Sequence, residues 1–180
     1  MKNRMQRSLT LLVLSSVVAC DAGIDGMIGL HRNAQVAVDY PSTVGSYNGT
    51  VQAHARPSIG RSYTISCPFT LIVSTQTDAD FSGNFALQQT DDCDTESGTI
   101  AGRVETTGGL SFSADTPGGG ANVFEDAATR SRCTLISSSG DFDGTITGGV
   151  MSAAGNAVYD CPFFGGVRVT LEVSLSATRS

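Results

Sequence analysis

The sequence predicts an all-β domain: a single antiparallel up-and-down β-barrel of about eight strands with two disulfides, a two-sheet β-sandwich being the alternative. Three observations lead there. Apolar and polar residues alternate over several runs, the period of a strand with one buried face. Glycine is abundant, with 21 copies in 180 residues, Trp is absent, and no long stretch keeps a helical period. A five-residue motif of bulky apolar, any residue, Gly, any residue, bulky apolar recurs as Tyr47-Asn-Gly49-Thr-Val51, Phe81-Ser-Gly83-Asn-Phe85, Ile100-Ala-Gly102-Arg-Val104 and Phe142-Asp-Gly144-Thr-Ile146. Residues two apart share a strand face, so each glycine lies between two large apolar side chains, where a closing sheet bends or neighbouring backbones approach.

The strands follow in order. The first covers 45–55 and the second 62–76, where Tyr63, Ile65, Cys67, Phe69, Leu71 and Val73 share one face and Thr64, Ser66, Pro68, Thr70 and Ser74 the other. The third, 80–89, and the fourth, 97–106, are built on the glycine motif. Leu110 and Phe112 mark a short fifth, 109–115, and residues 116–131 read as a long loop. The sixth covers 132–147 with a bulge near Gly140, the seventh 150–161, and the eighth 165–178 with Val167, Val169, Leu171, Val173 and Leu175 in alternation. The other links are short, as an up-and-down barrel requires. The missing Trp girdle and the non-aromatic C-terminal residue Ser180 favour a water-facing barrel over a membrane-spanning one.

Ahead of this domain lies an export signal. Lys2, Arg4 and Arg7 precede Leu11-Leu12-Val13-Leu14, and the apolar stretch runs on through Val17, Val18 and Ala19 to Cys20. It is too short to cross a bilayer as a stable helix and has signal-peptide anatomy. Val17-Val18-Ala19-Cys20 resembles the lipobox of bacterial lipoproteins. That resemblance implies removal of residues 1–19, a diacylglycerol on the Cys20 sulfur, and anchoring to the inner or outer membrane of a bacterial envelope, the barrel facing periplasm or exterior. Asp21 resembles the inner-membrane retention signal of enteric bacteria. Residues 20–44 are then the lipidated cysteine and a flexible tether of roughly 25–30 Å, and residues 45–180 the barrel. The barrel pattern loosely resembles calycin-like up-and-down barrels, but lacks the Gly-x-Trp signature of lipocalins.

Cleavage leaves eight arginines against 17 acidic residues, so the mature chain is a poor partner for nucleic acid or anionic lipid. With Cys20 lipidated, Cys67, Cys93, Cys133 and Cys161 remain, an even set that in an exported domain reads as two disulfides. There is no C-x-x-C, and His31 and His54 are the only histidines, so zinc is not expected. In an eight-stranded up-and-down barrel all four cysteines fall at one pole. Turns near Asp78 and Gly148 bring Cys67 toward Cys93 and Cys133 toward Cys161, the pairing expected here. Each bridge closes a loop worth about 3–4 kcal/mol in the chain-entropy model. The longer loops, 56–61, 90–96 and 116–131, gather at the same pole, while the tether joins the opposite, tight-turn pole.

Loops on a rigid scaffold commonly carry binding residues. The candidate binding loops at the outward pole hold Asp91, Asp92, Asp94, Glu96, Glu125, Asp126, Arg130 and Arg132. Asp92, Asp94 and Glu96 are spaced like the start of a calcium loop, yet the position of its closing glutamate is Arg103. These carboxylates are expected to be solvated or paired with Arg56, Arg61, Arg130 or Arg132, and no cofactor is called for. Asp78/Asp80 and Asp141/Asp143 fall at turns or strand starts, where Asp forms turns. There is no Gly-x-Ser-x-Gly and His54 has no evident partner, so the reading is non-enzymatic. The interior is the last candidate. Gly49, Gly83, Gly102 and Gly144 remove volume, and a barrel of this size just holds one small ligand. Tyr63, Phe69, Phe81, Phe85 and Phe112 are the expected lining, although close packing of these rings is the favoured expectation. The leading functional expectation is an interaction module that binds a protein through the outward loops. The alternative is a carrier of a small apolar envelope ligand.

Overall fold

The computed structural model describes residues 38–118, 120–162 and 166–180. The lipobox, Cys20, His31 and the tether through residue 37 lie outside the described residues. These form β1 (Gly45–Pro57), β2 (Tyr63–Thr77), β3 (Asp80–Leu87), β4 (Glu96–Val104), β5 (Gly109–Asp115), α1 (Val123–Ser131), β6 (Thr134–Ser138), β7 (Phe142–Thr147), β8 (Val150–Cys161) and β9 (Val167–Arg179). Antiparallel pairing runs β1–β2–β3–β4–β5–β7–β8–β9 and returns to β1, a closed barrel of eight strands with β6 as one extra strand. Closure excludes the sandwich.

The expected sixth strand is two strands in line. β8 has two edges: β9 takes one from Val150 to Cys161, and β7 and β6 share the other. β7 lies against Val150–Ala154 and β6 against Ala157–Asp160. Between them the chain breaks from strand at 139–141, and Gly140 takes a left-handed φ of 76°. The feature expected as a bulge is therefore an interruption. It has a consequence for the wall: β5 pairs with β7 only through Phe112, and β6 pairs with β8 alone among the described strands. Strand pairing does not close the barrel between the end of β5 and β6.

The loop 116–131 expected there contains α1 instead. Asn122 caps it, its Oδ1 accepting from the amides of Phe124 (3.0 Å) and Glu125 (3.2 Å). Glu125 and Asp126 in the first turn and Arg130 in the last complement the helix dipole. Arg132 ends it in the left-handed conformation, its amide returning to the carbonyls of Ala128 and Thr129. The helix packs on β6 and β8.

The poles differ as expected. Two-residue turns at Asp78-Ala79 and Gly148-Gly149 and a four-residue turn at 105–108 close one end. Gly148 and Gly149 both have positive φ, 58° and 82°, which the tight hairpin between paired Thr147 and Val150 demands. The other end carries the β1–β2, β3–β4, β5–β6 and β8–β9 connections, with the disulfides Cys67–Cys93 and Cys133–Cys161. Inward positions are apolar except Glu96, while outward ones such as Asn48, Gln52, Ser152, Asn156, Ser174 and Ser176 are polar and exposed. That is the reverse of a lipid-facing barrel. No helix among the described residues is long and apolar enough to cross a membrane.

Candidate functional site

The four glycine motifs divide the interior. On the tight-turn side of each glycine stands a fully packed residue: Tyr47, Phe81, Val104 and Ile146, all at most 5% exposed. On the loop side stand Val51, Phe85, Ile100 and Phe142, and all four line a cavity of about 320 Å³. The glycines between are places of close backbone approach. A Cβ on Gly49 would lie 2.0 Å from the Ser176 carbonyl oxygen, and one on Gly144 1.9 Å from that of Ser152. They serve strand coiling, so the volume they vacate goes to neighbouring backbone and not to the cavity.

The tight-turn half is filled and sealed. Leu110, Met151 and Ala177 join the packed residues. Beneath them Thr43 is fully buried, its amide and hydroxyl donating to Gln76 Oε1 at 2.7 and 2.9 Å. The Tyr47 hydroxyl donates to the Thr43 carbonyl (2.6 Å) and accepts from Arg179 Nη2 (2.7 Å). The chain ahead of β1 is thereby pinned across the floor of the barrel.

The loop half is hollow. Val51 and Ala53 of β1 and Leu171, Val173 and Leu175 of β9 point inward but remain only partly buried, because they face the cavity. α1 supplies part of the wall through Val123, Phe124, Ala127 and Arg130, which lie on one side of the helix. Phe124 inserts most deeply and is 1% exposed. Its ring stacks on Phe142 with centroids 5.4 Å apart, and its carbonyl accepts from the Tyr159 hydroxyl at 3.2 Å. Burial of that phenol pushes its pKa up to about 12, so it stays a donor. Small residues on the inner face of β8 make room: Ala153, Gly155 and Ala157. A Cβ on Gly155 would come within 2.9 Å of the Phe124 ring.

Two charged side chains line the cavity, Glu96 and Arg130. Glu96 was expected in the loop, but it opens β4 and shares the inward parity of Ile100 and Val104. Its Oε1 accepts from Arg130 Nη2 at 2.5 Å, joining β4 to α1. Asp126, expected as a loop ligand, is 1% exposed and structural. It accepts from the Thr116 hydroxyl and, at 2.6 Å, from the Gly120 amide, folding the approach loop onto the helix. Thr116's hydrogen bond holds the Asp126 carboxyl below its ordinary pKa, against the opposing effect of burial, with the Gly120 amide and the charge of Arg130 assisting.

The other expected site residues divide. Phe69, Phe85 and Phe112 line the cavity; Phe81 belongs to the packed half, and Tyr63 is 60% exposed at the rim. Alternation correctly gives Tyr63 its face, but the wall ends below it. Asp91, Asp92 and Asp94 are exposed on the β3–β4 loop, Glu125 accepts from the Ala121 amide (2.8 Å), and Arg132 is the helix C-cap. Among the described residues no three His, Cys, Asp or Glu side chains cluster as a metal site needs. Of the calcium-like trio, Asp92 and Asp94 are exposed while Glu96 turns inward to Arg130, so the three carboxylates do not converge. Arg56 pairs with Glu172 at 2.9 Å and Asp80 with Arg103 at 3.0 Å, not with the acidic loop. His54 Nδ1 lies 2.7 Å from the Thr64 hydroxyl on the outer wall. Reasoning from sequence missed Val123, Phe124, Ala127 and the aliphatic wall of β1 and β9. The Asn122-x-x-Glu125 capping pattern and the small residues of β8 were the available signals. No protein-family model matches the chain, and no curated protein sequence matches it.

Proposed function

We propose that the protein is a non-enzymatic carrier of one small apolar ligand, held in the loop half of the barrel and tethered to a bacterial envelope membrane through Cys20. The carrying observation is the hollow itself: a cavity of about 320 Å³ walled by apolar strand residues and by Phe124. Protein interiors close-pack by default, and a void of this kind sits at the lower end of the roughly 300–1,000 Å³ typical of ligand pockets. A dry apolar cavity takes apolar guests; one of about 150 Å³ accepts benzene. The tether would enter at the sealed pole, leaving the hollow pole facing away from the anchoring membrane.

The test uses the mature chain with Cys20→Ser, exported without acyl chain or detergent. The fluorescent probe N-phenyl-1-naphthylamine is expected to bind with about one-to-one stoichiometry, and Val51→Phe, which fills the cavity, to abolish binding while the fold persists by circular dichroism. Undiminished binding by Val51→Phe would overturn the assignment. Palmitate labelling of the unaltered chain, lost in Cys20→Ser, tests the anchor separately.

A second reading, docking of a protein partner at the same pole, is favoured by Ile59 and Tyr63, which stand 76% and 60% exposed at its rim. Substituting both by Ser would remove partner binding and leave probe binding intact.

A further inference from the structure

We propose that the cavity selects ligands whose polar end carries no negative charge, and that Glu96 sets this selectivity by holding Arg130. The inference rests on the carrier reading and names the chemical class of its ligand.

An amphiphile entering the hollow meets apolar side chains everywhere except at Glu96 and Arg130. Arg130 is therefore the one cation in the wall among the described residues, and the natural seat for a carboxylate or phosphate head. That seat is taken. Glu96 holds the guanidinium at 2.5 Å from the inward face of β4. Asp94 and Asp126 also lie within electrostatic reach of the same guanidinium. One positive charge is thus offset by three carboxylates before any ligand arrives.

An anionic head has two options, and both are unfavourable. It can stay beside the intact pair and be repelled by the surrounding carboxylates. Or it can displace Glu96, whose side chain is only 24% exposed, leaving a largely shielded carboxylate without its partner beside an apolar wall. An uncharged hydroxyl or carbonyl meets neither obstacle, because a guanidinium carries five N–H donors and the Glu96 bond to Nη2 leaves others to donate. The size of the hollow, about 320 Å³, is roughly twice that of a cavity that takes one benzene ring. The class is therefore a neutral apolar molecule of about two rings, or a single medium-length chain with an uncharged end.

The test compares 1-decanol with decanoate, equal in chain and opposite in head, as competitors of N-phenyl-1-naphthylamine at pH 8. The protein is again the mature Cys20→Ser chain. The wild type is expected to bind decanol at least tenfold more tightly than decanoate. Glu96→Gln frees the Arg130 charge and should reduce that ratio at least fivefold, through a gain in decanoate affinity. Adding Arg130→Gln should erase the gain. Asp94→Asn, at an exposed loop position, should move the ratio the same way by about twofold, and it serves in place of Glu96→Gln should that variant not fold. Competitors that bind equally, or a ratio unmoved by these substitutions, would overturn the selectivity and leave the carrier reading intact. Failure of the probe and both competitors to bind would overturn both.

Discussion

On the tight-turn side of the glycine belt, Tyr47, Phe81, Val104 and Ile146 are all buried in the core; on the loop side, Val51, Phe85, Ile100 and Phe142 come from the same four motifs and line the cavity. Composition does not separate the two halves, since both are apolar. The difference lies in what closes each end. The filled half ends in short turns and a polar floor in which buried Thr43 bonds to Gln76 and Arg179 bonds to Tyr47. The hollow half ends where β5 and β6 do not pair and α1 packs on β6 and β8. At that wall the helix lines the cavity with Val123, Phe124, Ala127 and Arg130. One repeated motif thus contributes to stability at one end and to a binding site at the other.

The contrast is broken most directly by truncation. Phe81→Ala in the filled half is expected to cost about 3–5 kcal/mol in urea denaturation, the range for a packed aromatic. Leu175→Ala, whose side chain faces the cavity and is only partly buried, should cost about 1 kcal/mol, since little packed contact is lost. Equal costs would mean that the hollow half collapses in solution and holds no cavity.

Two glycines sharpen it. In Gly144→Ala the new methyl meets the backbone of Ser152 and Ala153, which cannot yield without moving β8, so destabilisation of about 3 kcal/mol is expected. In Gly155→Ala it meets the Phe124 ring, the Ser139 hydroxyl and the edge of Phe142. Side chains can shift more readily than backbone, so the cost should stay near the low end, about 1 kcal/mol, but displacing Phe124 changes the cavity wall. Weakened probe binding with near-native stability is the expected signature. The reverse pattern, stability lost at Gly155 and kept at Gly144, would invalidate the division of roles.

What the sequence revealed about the fold and what it concealed follow the same division. Strand parity, the turns at Asp78 and Gly148, and the pairing of Cys67 with Cys93 and Cys133 with Cys161 all depend on local period and chain order, which a sequence carries directly. Depth does not. Tyr63 and Phe69 share a face in the sequence, yet Tyr63 stands exposed at the rim while Phe69 is buried. Phe81 and Phe85 flank one glycine, and only Phe85 reaches the cavity. α1 is nine residues long with three buried side chains, too short for a helical period to stand out, so its caps were the better signal. Whether rings fill a barrel or surround a void depends on which side chains meet across it, and that is a property of closure.

Acid should distinguish the poles as well. The loop pole is latched by a carboxylate: Asp126 accepts from Thr116 and Gly120 and is held below its ordinary pKa by those bonds. A depressed carboxyl stabilises the folded state above its unfolded pKa and loses that contribution as pH falls through the folded value. For Asp the unfolded reference is about 3.9. This contribution should therefore be constant from pH 7 to about 5 and decline below about 4. At pH 7, Asp126→Asn should cost about 1–3 kcal/mol, because one charge-assisted acceptor is lost, and it should remove this part of the acid dependence. The floor is held at Thr43 by the non-titrating amide of Gln76. Amide exchange at pH 3, corrected for intrinsic rates, should accordingly rise in 116–131 before it rises in 42–47. Loosening of the floor first would reverse the assignment of sealed and opening ends.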